Sequence, residues 1–206
     1  MPSIISWEIM AALLLFAFTA TWTPGPNNIL LASSGARFGF RRSLPLVFGV
    51  TFGFPPMVFC IAMGLGELFR TQPWLQEGVR IVGAAVLLWI CWKIVSIPFP
   101  ADSKDNSAAD KPWSFWKAAG FQWINPKSWG AALAIVSAYS KGEHLLLEAM
   151  LLAFPFICAS MTSAPSWALF GTLIRGFLNT PLRFRVYNVI MGGLMGISGL
   201  FLFLDM

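Results

Sequence analysis

The chain has 206 residues, of which 57% are hydrophobic and only 11% charged, with ten tryptophans and nineteen phenylalanines. Several apolar runs reach the roughly 20 residues that a helix needs to cross a ~30 Å hydrocarbon core, which excludes a water-soluble domain and indicates an all-α polytopic membrane protein. The net charge of +5 sits mainly in loops between the runs, so no nucleic-acid partner is expected. Met1-Pro2-Ser3 carries no basic n-region and no small-residue cleavage site follows the first apolar run, so a cleaved leader is not expected.

The first predicted span runs from Trp7 to Ser34 and is interrupted by Trp22-Thr23-Pro24-Gly25-Pro26-Asn27-Asn28. Each proline removes a backbone donor and crowds the carbonyl one turn earlier, so this span is a broken helix. At membrane depth such a break is tolerated only where protein or a polar cavity surrounds it. A basic loop with Arg37, Arg41 and Arg42 follows, then a second span over Leu44–Leu65 with its own expected break at Phe54-Pro55-Pro56. Beyond Glu67, Arg70 and Glu77, a third span covers Arg80–Ile97 and includes the small residues Gly83-Ala84-Ala85, which permit close helix approach.

Residues 98–113 form the one polar stretch and are predicted to be a cytoplasmic linker between repeats at 1–97 and 114–206. The fourth span, Trp116–Tyr139, is broken at Asn125-Pro126-Lys127. The fifth, Leu147–Leu173, contains Pro155 and Pro165, and the sixth, Tyr187–Leu204, carries Gly192-Gly193, Gly196 and Gly199. Basic residues concentrate after spans one, three and five (Arg37, Arg41, Arg42, Lys104, Lys111, Lys117, Arg175, Arg183, Arg185), whereas the opposite side has Arg70, Arg80 and Lys141. The positive-inside rule then places both termini outside the cytoplasm.

The halves echo one another. Trp22-Thr23-Pro24 corresponds to Trp123-Ile124-Asn125-Pro126, Phe52-Gly53-Phe54-Pro55 to Leu152-Ala153-Phe154-Pro155, and Val82-Gly83-Ala84 to Met191-Gly192-Gly193. Three spans per half invert the second half relative to the first, giving six helices as two inverted repeats with helices one and four broken. At ~1.5 Å per residue, Pro24 lies roughly 24 Å from a start near Glu8, and Pro126 roughly 15 Å from a start near Trp116 on the other side. In a membrane ~40–45 Å thick, the two breaks fall at similar depth.

Lys127 is a cation placed inside the bilayer beside a break, with no acid nearby in sequence. Such a residue snorkels, pairs or faces a wet cavity. It could receive a ligand carboxylate, or bond carbonyls freed by the break and only hold the fold. Asn27, Asn28 and Asn125 add amide groups suited to an α-amino or α-carboxyl group. Half-helices starting after Pro26 and Pro126 would point positive dipole ends at an anion. The predicted substrate contacts are therefore Asn27, Asn28, Asn125 and Lys127, with Pro24, Gly25, Pro26 and Pro126 shaping the cavity. Trp22 and Trp123 are candidates to close it, or pack between helices. Glu8, Glu67, Glu148 and Asp205 suit positions near the membrane surface, and His144 an exposed loop. Cys60, Cys91 and Cys158 are odd in number, lie within apolar runs and read as buried free thiols. No metal, cofactor or enzymatic activity is expected.

Thr23-Pro24-Gly25-Pro26-Asn27, together with Ser114-Phe115-Trp116 and Asn125-Pro126-Lys127, resembles the signatures of the lysine-exporter (LysE/RhtB) family of amino-acid efflux transporters. Asn27-Asn28-Ile29-Leu30, Ser33-Ser34 and Trp92-Lys93-Ile94 look most like the branch that exports cysteine and O-acetylserine. The resemblance extends over the whole chain in length, span pattern and central linker. It implies a bacterial inner-membrane exporter of small amino acids, driven by proton exchange, and leaves a homodimer open. Many members carry Asp where this chain has Asn27, so an obvious proton-binding carboxylate is missing.

Two other classes are set against this reading. A transmembrane thiol/disulfide electron carrier needs paired, reachable cysteines at the symmetric breaks, and the three cysteines lie elsewhere. An intramembrane hydrolase needs a Ser/His or paired-Asp constellation within the membrane, which the chain lacks.

Overall fold

The computed structural model describes residues 6–99 and 111–204, with side chains to residue 200. Helices account for nearly all of them. Ser6 caps α1 (Trp7–Trp22) by accepting from the Ile9 amide at 3.4 Å. The chain then leaves the helix at Thr23, because neither Pro24 nor Pro26 can donate to the turn before it. Helix α2 (Pro26–Phe38) starts with proline in its first turn, where a missing N–H costs nothing. The two helices meet at 52°.

Gly39, at φ +80°, turns the chain within a single residue, a left-handed conformation suited to glycine. Arg41 and Arg42 consequently lie in the first turn of α3 (Phe40–Cys60) and not in a loop. The expected break at Phe54-Pro55-Pro56 is not there: α3 runs through all three residues. Packing against helices on both sides holds that stretch helical, and the irregularity comes later, in a π-helical turn at Ile61–Leu65 where Gly64 adopts φ +119°. Helix α4 (Gly66–Thr71) completes this rod.

Helix α5 (Pro73–Val95) and helix α9 (Pro181–Leu204) both begin earlier than hydropathy suggests, since a proline at the head of each starts the helix in its polar flank. Helix α6 (Phe115–Phe121) is capped by Ser114, and α7 (Pro126–Tyr139) by Asn125. Helix α8 (Leu145–Ile174) is continuous through Pro155 and Pro165, and a short 3₁₀ turn at Arg175–Phe177 leads on toward α9. Most of the expected linker, with Lys104, and Asp205 lie outside the described residues.

Three stretches, Phe40–Thr71, Pro73–Val95 and Leu145–Phe177, are long and apolar enough to cross a membrane, and α1 with α2 passes the same test as a bent pair. Large apolar side chains such as Leu15, Trp92 and Leu173 lie on the outside, as they should where the solvent is lipid. The chain is a multi-pass helical membrane protein. Helix α8 packs on α1, α2 and α3, while α3 packs on α6 and α5 on α9. One apolar cluster gathers Leu13, Met57, Ile135, Leu152 and Phe156, and a second gathers Leu31, Leu46, Val47, Ala164 and Ala168.

Small residues make these contacts. A Cβ on Gly35 would overlap the Ala168 carbonyl, and one on Gly171 would overlap the Ala32 carbonyl. Ala32 and Gly35 on α2 therefore interlock with Ala168 and Gly171 on α8, three residues apart on each helix, and the backbones approach closely. Gly49 and Gly53 do the same for α3 against Phe115, Ala118 and Ala119. Cys60, Cys91 and Cys158 are free and only half-buried, and the Cys91 sulfur sits against Gly196 in the α5–α9 contact.

Glu148, expected near the surface, is buried at 6% exposure. Its carboxylate accepts from Ser140 Oγ (2.8 Å) and from the amides of Lys141, Gly142, Glu143 and His144 at 2.9–3.3 Å. It thereby ties the α7–α8 loop to the first turn of α8, while the His144 side chain remains exposed.

Two expectations follow. Gly171→Ala should lower stability by about 2 kcal/mol, because only helix separation relieves the overlap, whereas Gly193→Ala, with open space around it, should be nearly neutral; equal thermal midpoints in detergent would contradict this. Glu148→Ala leaves several donors without an acceptor and should cost on the order of 3 kcal/mol, seen as a lower midpoint with faster amide exchange at residues 140–144.

Candidate functional site

Where α1 ends, the carbonyls of Thr21, Thr23 and Pro24 lose the amides that a continuous helix would offer. Asn28 Nδ2 donates to Thr21 O at 3.0 Å and Thr23 O at 2.9 Å. Ser163 Oγ, from α8, donates to Thr21 O at 2.8 Å. Lys127 Nζ, from α7, donates to Thr23 O and, at 3.4 Å, to Pro24 O. The two broken helices thus meet directly.

Gly25 makes that meeting possible. Its extended backbone (φ −175°) suits any residue, but a Cβ there would come within 2.7 Å of Lys127 Cδ. The glycine is needed for space and not for conformation.

The second break is closed differently. Residues after α6 turn tightly, with the Trp123 amide on Gly120 O at 3.1 Å and the Ile124 amide on Phe121 O at 3.2 Å. Asn125, buried at 1% exposure, accepts the Lys127 amide on Oδ1 at 3.2 Å and so starts α7.

Asn27 turns toward this second break. Its Nδ2 donates to Gln122 Oε1 at 2.8 Å, and Gln122 Nε2 donates back to Asn27 Oδ1 at 3.2 Å. Gln122 is fully buried; it also donates to Ala118 O at 3.0 Å and accepts from Ser128 Oγ at 3.2 Å. Sequence reasoning missed Gln122. The available signal was an uncharged polar residue inside an apolar run three positions before Asn125, which needs a partner in hydrocarbon for the same reason as Lys127.

These groups surround a small cavity of about 40 Å³, whose walls include Thr21, Gly25, Asn27, Asn28, Asn125 and Lys127. That is the scale of a few ordered waters. Ser128 joins them from α7, Ser160 and Ser163 from α8, and Val50 and Phe54 from α3. Lys127 is the ionisable side chain among the wall residues. All four predicted contact residues and Gly25 therefore come together, while Pro24 lies in the break and Pro26 and Pro126 at the heads of α2 and α7, all three outside the wall. Trp22 and Trp123 do not line it: the Trp22 indole donates to Thr162 at 3.3 Å, and Trp123 packs on Trp129. None of the three cysteines reaches it.

The site is uncharged except for one ammonium, and that ammonium is held by backbone carbonyls. Such an arrangement can exchange partners with a zwitterion: a carboxylate can take the lysine, and an ammonium can take the carbonyls it leaves. Among the described residues no group of His, Cys, Asp or Glu could hold a metal ion.

The reciprocal amide pair should register in a double-mutant cycle. Asn27→Ala and Gln122→Ala should be non-additive in stability, with a coupling of about 1 kcal/mol; strictly additive midpoints would mean that the pair contributes nothing.

The family model described as LysE type translocator matches residues 18–206. A cysteine/O-acetylserine efflux protein of Salmonella typhimurium is 34% identical over 119 residues, covering 58% of this chain and 59% of that protein. The protein of the same description from Escherichia coli O6:H1 is 32% identical over 120 residues, with the same coverage. The match thus spans about three-fifths of the length of these curated relatives. No solved structure matches the chain. With nearly its whole length covered by the family model, and the two proline breaks inside that coverage, the chain belongs to the LysE type translocator family.

Proposed function

We propose that this protein is a secondary transporter that exports small neutral amino acids, of the cysteine or O-acetylserine kind, from the bacterial cytoplasm across the inner membrane by proton exchange. The observation that carries the reading is the contact of Lys127 Nζ with the carbonyls of Thr23 and Pro24. It gathers one cation and several freed dipoles around a small polar cavity between two broken helices. The substrate carboxylate draws Lys127 off those carbonyls, and the substrate ammonium takes them over, with Asn27, Asn28 and Asn125 completing the contacts. Charge is conserved in this swap, so no buried ion is left unpaired at any stage. The relatives' printed description as cysteine/O-acetylserine efflux proteins favours substrates of that size.

The same reading takes the chain as six spans in two inverted repeats, 1–97 and 114–206, with both termini outside the cytoplasm. In its support, the main helix contacts keep their partners when the halves are exchanged. The pairing of α1 and α2 with α8 becomes that of α6 and α7 with α3, and α3–α8 and α5–α9 map onto themselves. The echoing segments around Pro55 and Pro155 also line one groove together. The ends of α2 and α5 and the start of α6 converge with Arg37, Lys93, Lys111 and Lys117, as positive-inside placement requires.

Inside-out vesicles containing the protein should take up labelled cysteine or O-acetylserine, and uptake should depend on a proton gradient. Lys127→Ala should reduce uptake at least roughly tenfold at equal expression, as expected when a charged hydrogen-bonding partner is lost. A well-expressed Lys127→Ala protein that transports normally would remove the lysine from the mechanism. Uptake that ignores the gradient would leave a carrier without proton exchange. The triple Cys60→Ser, Cys91→Ser, Cys158→Ser variant should transport normally; loss of function there would favour a thiol electron carrier.

A further inference from the structure

A second polar cavity, of about 310 Å³, lies where the last turns of α2 and α5 meet the first turn of α6. Its wall contains Ser33, Trp89, Lys93, Lys111, Trp113 and Lys117. Lys117 Nζ lies 4.5 Å from the centre of the Trp113 ring and 5.6 Å from that of Trp89. Lys93 Nζ lies 5.7 Å from the same Trp89 ring and 5.5 Å from that of Trp92. Two ammonium groups therefore share one indole. Each is attracted to the ring, and an anion that reaches both would be held by two cations.

No acidic partner offsets them among the described residues. The ion pairs there join Arg70 to Glu67 and Arg80 to Glu77, on the other loops. Ser33 is also in the wall, with its hydroxyl beside that of Tyr187 on α9. Deeper in, Leu30, Leu46, Ile90 and Ile94 form an apolar floor.

The location narrows the ligand. Lys93 is in the last turn of α5, and Trp113 immediately precedes the α6 cap. The cavity thus opens at helix ends, at the depth where tryptophans and lipid headgroups are found. Cations above, an apolar floor below and an opening at headgroup level match an amphipathic anion. We propose that this cavity is a phosphate-binding site that takes the headgroup of an anionic phospholipid, held between Lys93 and Lys117 on the Trp89 and Trp113 faces. Basic pockets between membrane helices select such headgroups electrostatically. The site is separate from the Lys127 cavity and does not depend on the transport reading.

The test uses the full chain in phosphatidylcholine nanodiscs, titrated with phosphatidylglycerol or, in a separate arm, with sodium phosphate. Thermal midpoint and lipid retention by native mass spectrometry are the readouts. Phosphatidylglycerol should raise the midpoint and be retained in preference to phosphatidylcholine. The Lys93→Gln, Lys117→Gln pair should weaken that response roughly tenfold, and the Lys93→Arg, Lys117→Arg pair should keep it. If the glutamine pair fails to fold, each single Lys→Gln variant should show a smaller loss. An equal response to sodium phosphate alone would retain the phosphate site and assign it to the free ion. Retention of phosphatidylglycerol no greater than that of phosphatidylcholine, or unchanged in the glutamine variants, would overturn the proposal. So would a response that emerges only after Asp102, Asp105 and Asp110 are changed to Asn, because the linker would then be the occupant.

Discussion

Backbone carbonyls left without amides at the Thr23–Pro26 break are the constraint on which the centre of this molecule depends. In hydrocarbon each unsatisfied carbonyl costs several kcal/mol. Thr21, Thr23 and Pro24 are therefore met by side chains from three places: Asn28 on α2, Ser163 on α8 and Lys127 on α7. One local interruption thus draws elements that are distant in sequence to a common point. The polar cavity is the space those partners enclose.

The two breaks are not equivalent. The first is met by side chains of Asn28 on α2, Ser163 on α8 and Lys127 on α7. The second closes on itself through a tight turn and the Asn125 cap, and contributes side chains instead. Gln122 and Lys127, on either side of that cap, face Asn27 and Thr23 across the gap. One half provides acceptors and the other mostly donors, a division that a zwitterion can enter from both ends.

Close packing makes the contact feasible. Gly35 and Gly171 let α2 and α8 approach until backbone meets side-chain-free backbone, and Gly49 and Gly53 do so for α3 and α6. Between lipid-exposed helices there is no hydrophobic driving force, so small residues and interhelical hydrogen bonds replace it. Gly25 extends the rule into the site by giving up the volume that Lys127 occupies.

Much of this was legible in the residues. Apolar run lengths reveal membrane helices because the bilayer sets the length. Pro24, Pro26 and Pro126 mark breaks because a missing amide is a covalent property, and Lys127 marks the cavity because a bilayer cation needs a partner. The identity of that partner was not legible: whether the ammonium waits for a ligand or bonds freed carbonyls is decided by how α7 sits against α1. For the same reason Gln122 was passed over, and Glu148 was read only as a group near the membrane surface. An amide in an apolar run and a carboxylate near a helix end take their roles from what faces them, Asn27 in one case and a row of loop amides in the other. Pro55 and Pro56 marked a break that packing on both sides of α3 suppresses. The sequence by itself therefore determined that the chain is a multi-pass helical membrane protein, that helices lose backbone bonds at Pro24, Pro26 and Pro126, and that Lys127 needs a partner, since these follow from covalent structure and length. Only the tertiary structure decided which freed group meets which side chain, because such pairings join residues about a hundred positions apart and depend on helix rotation and register.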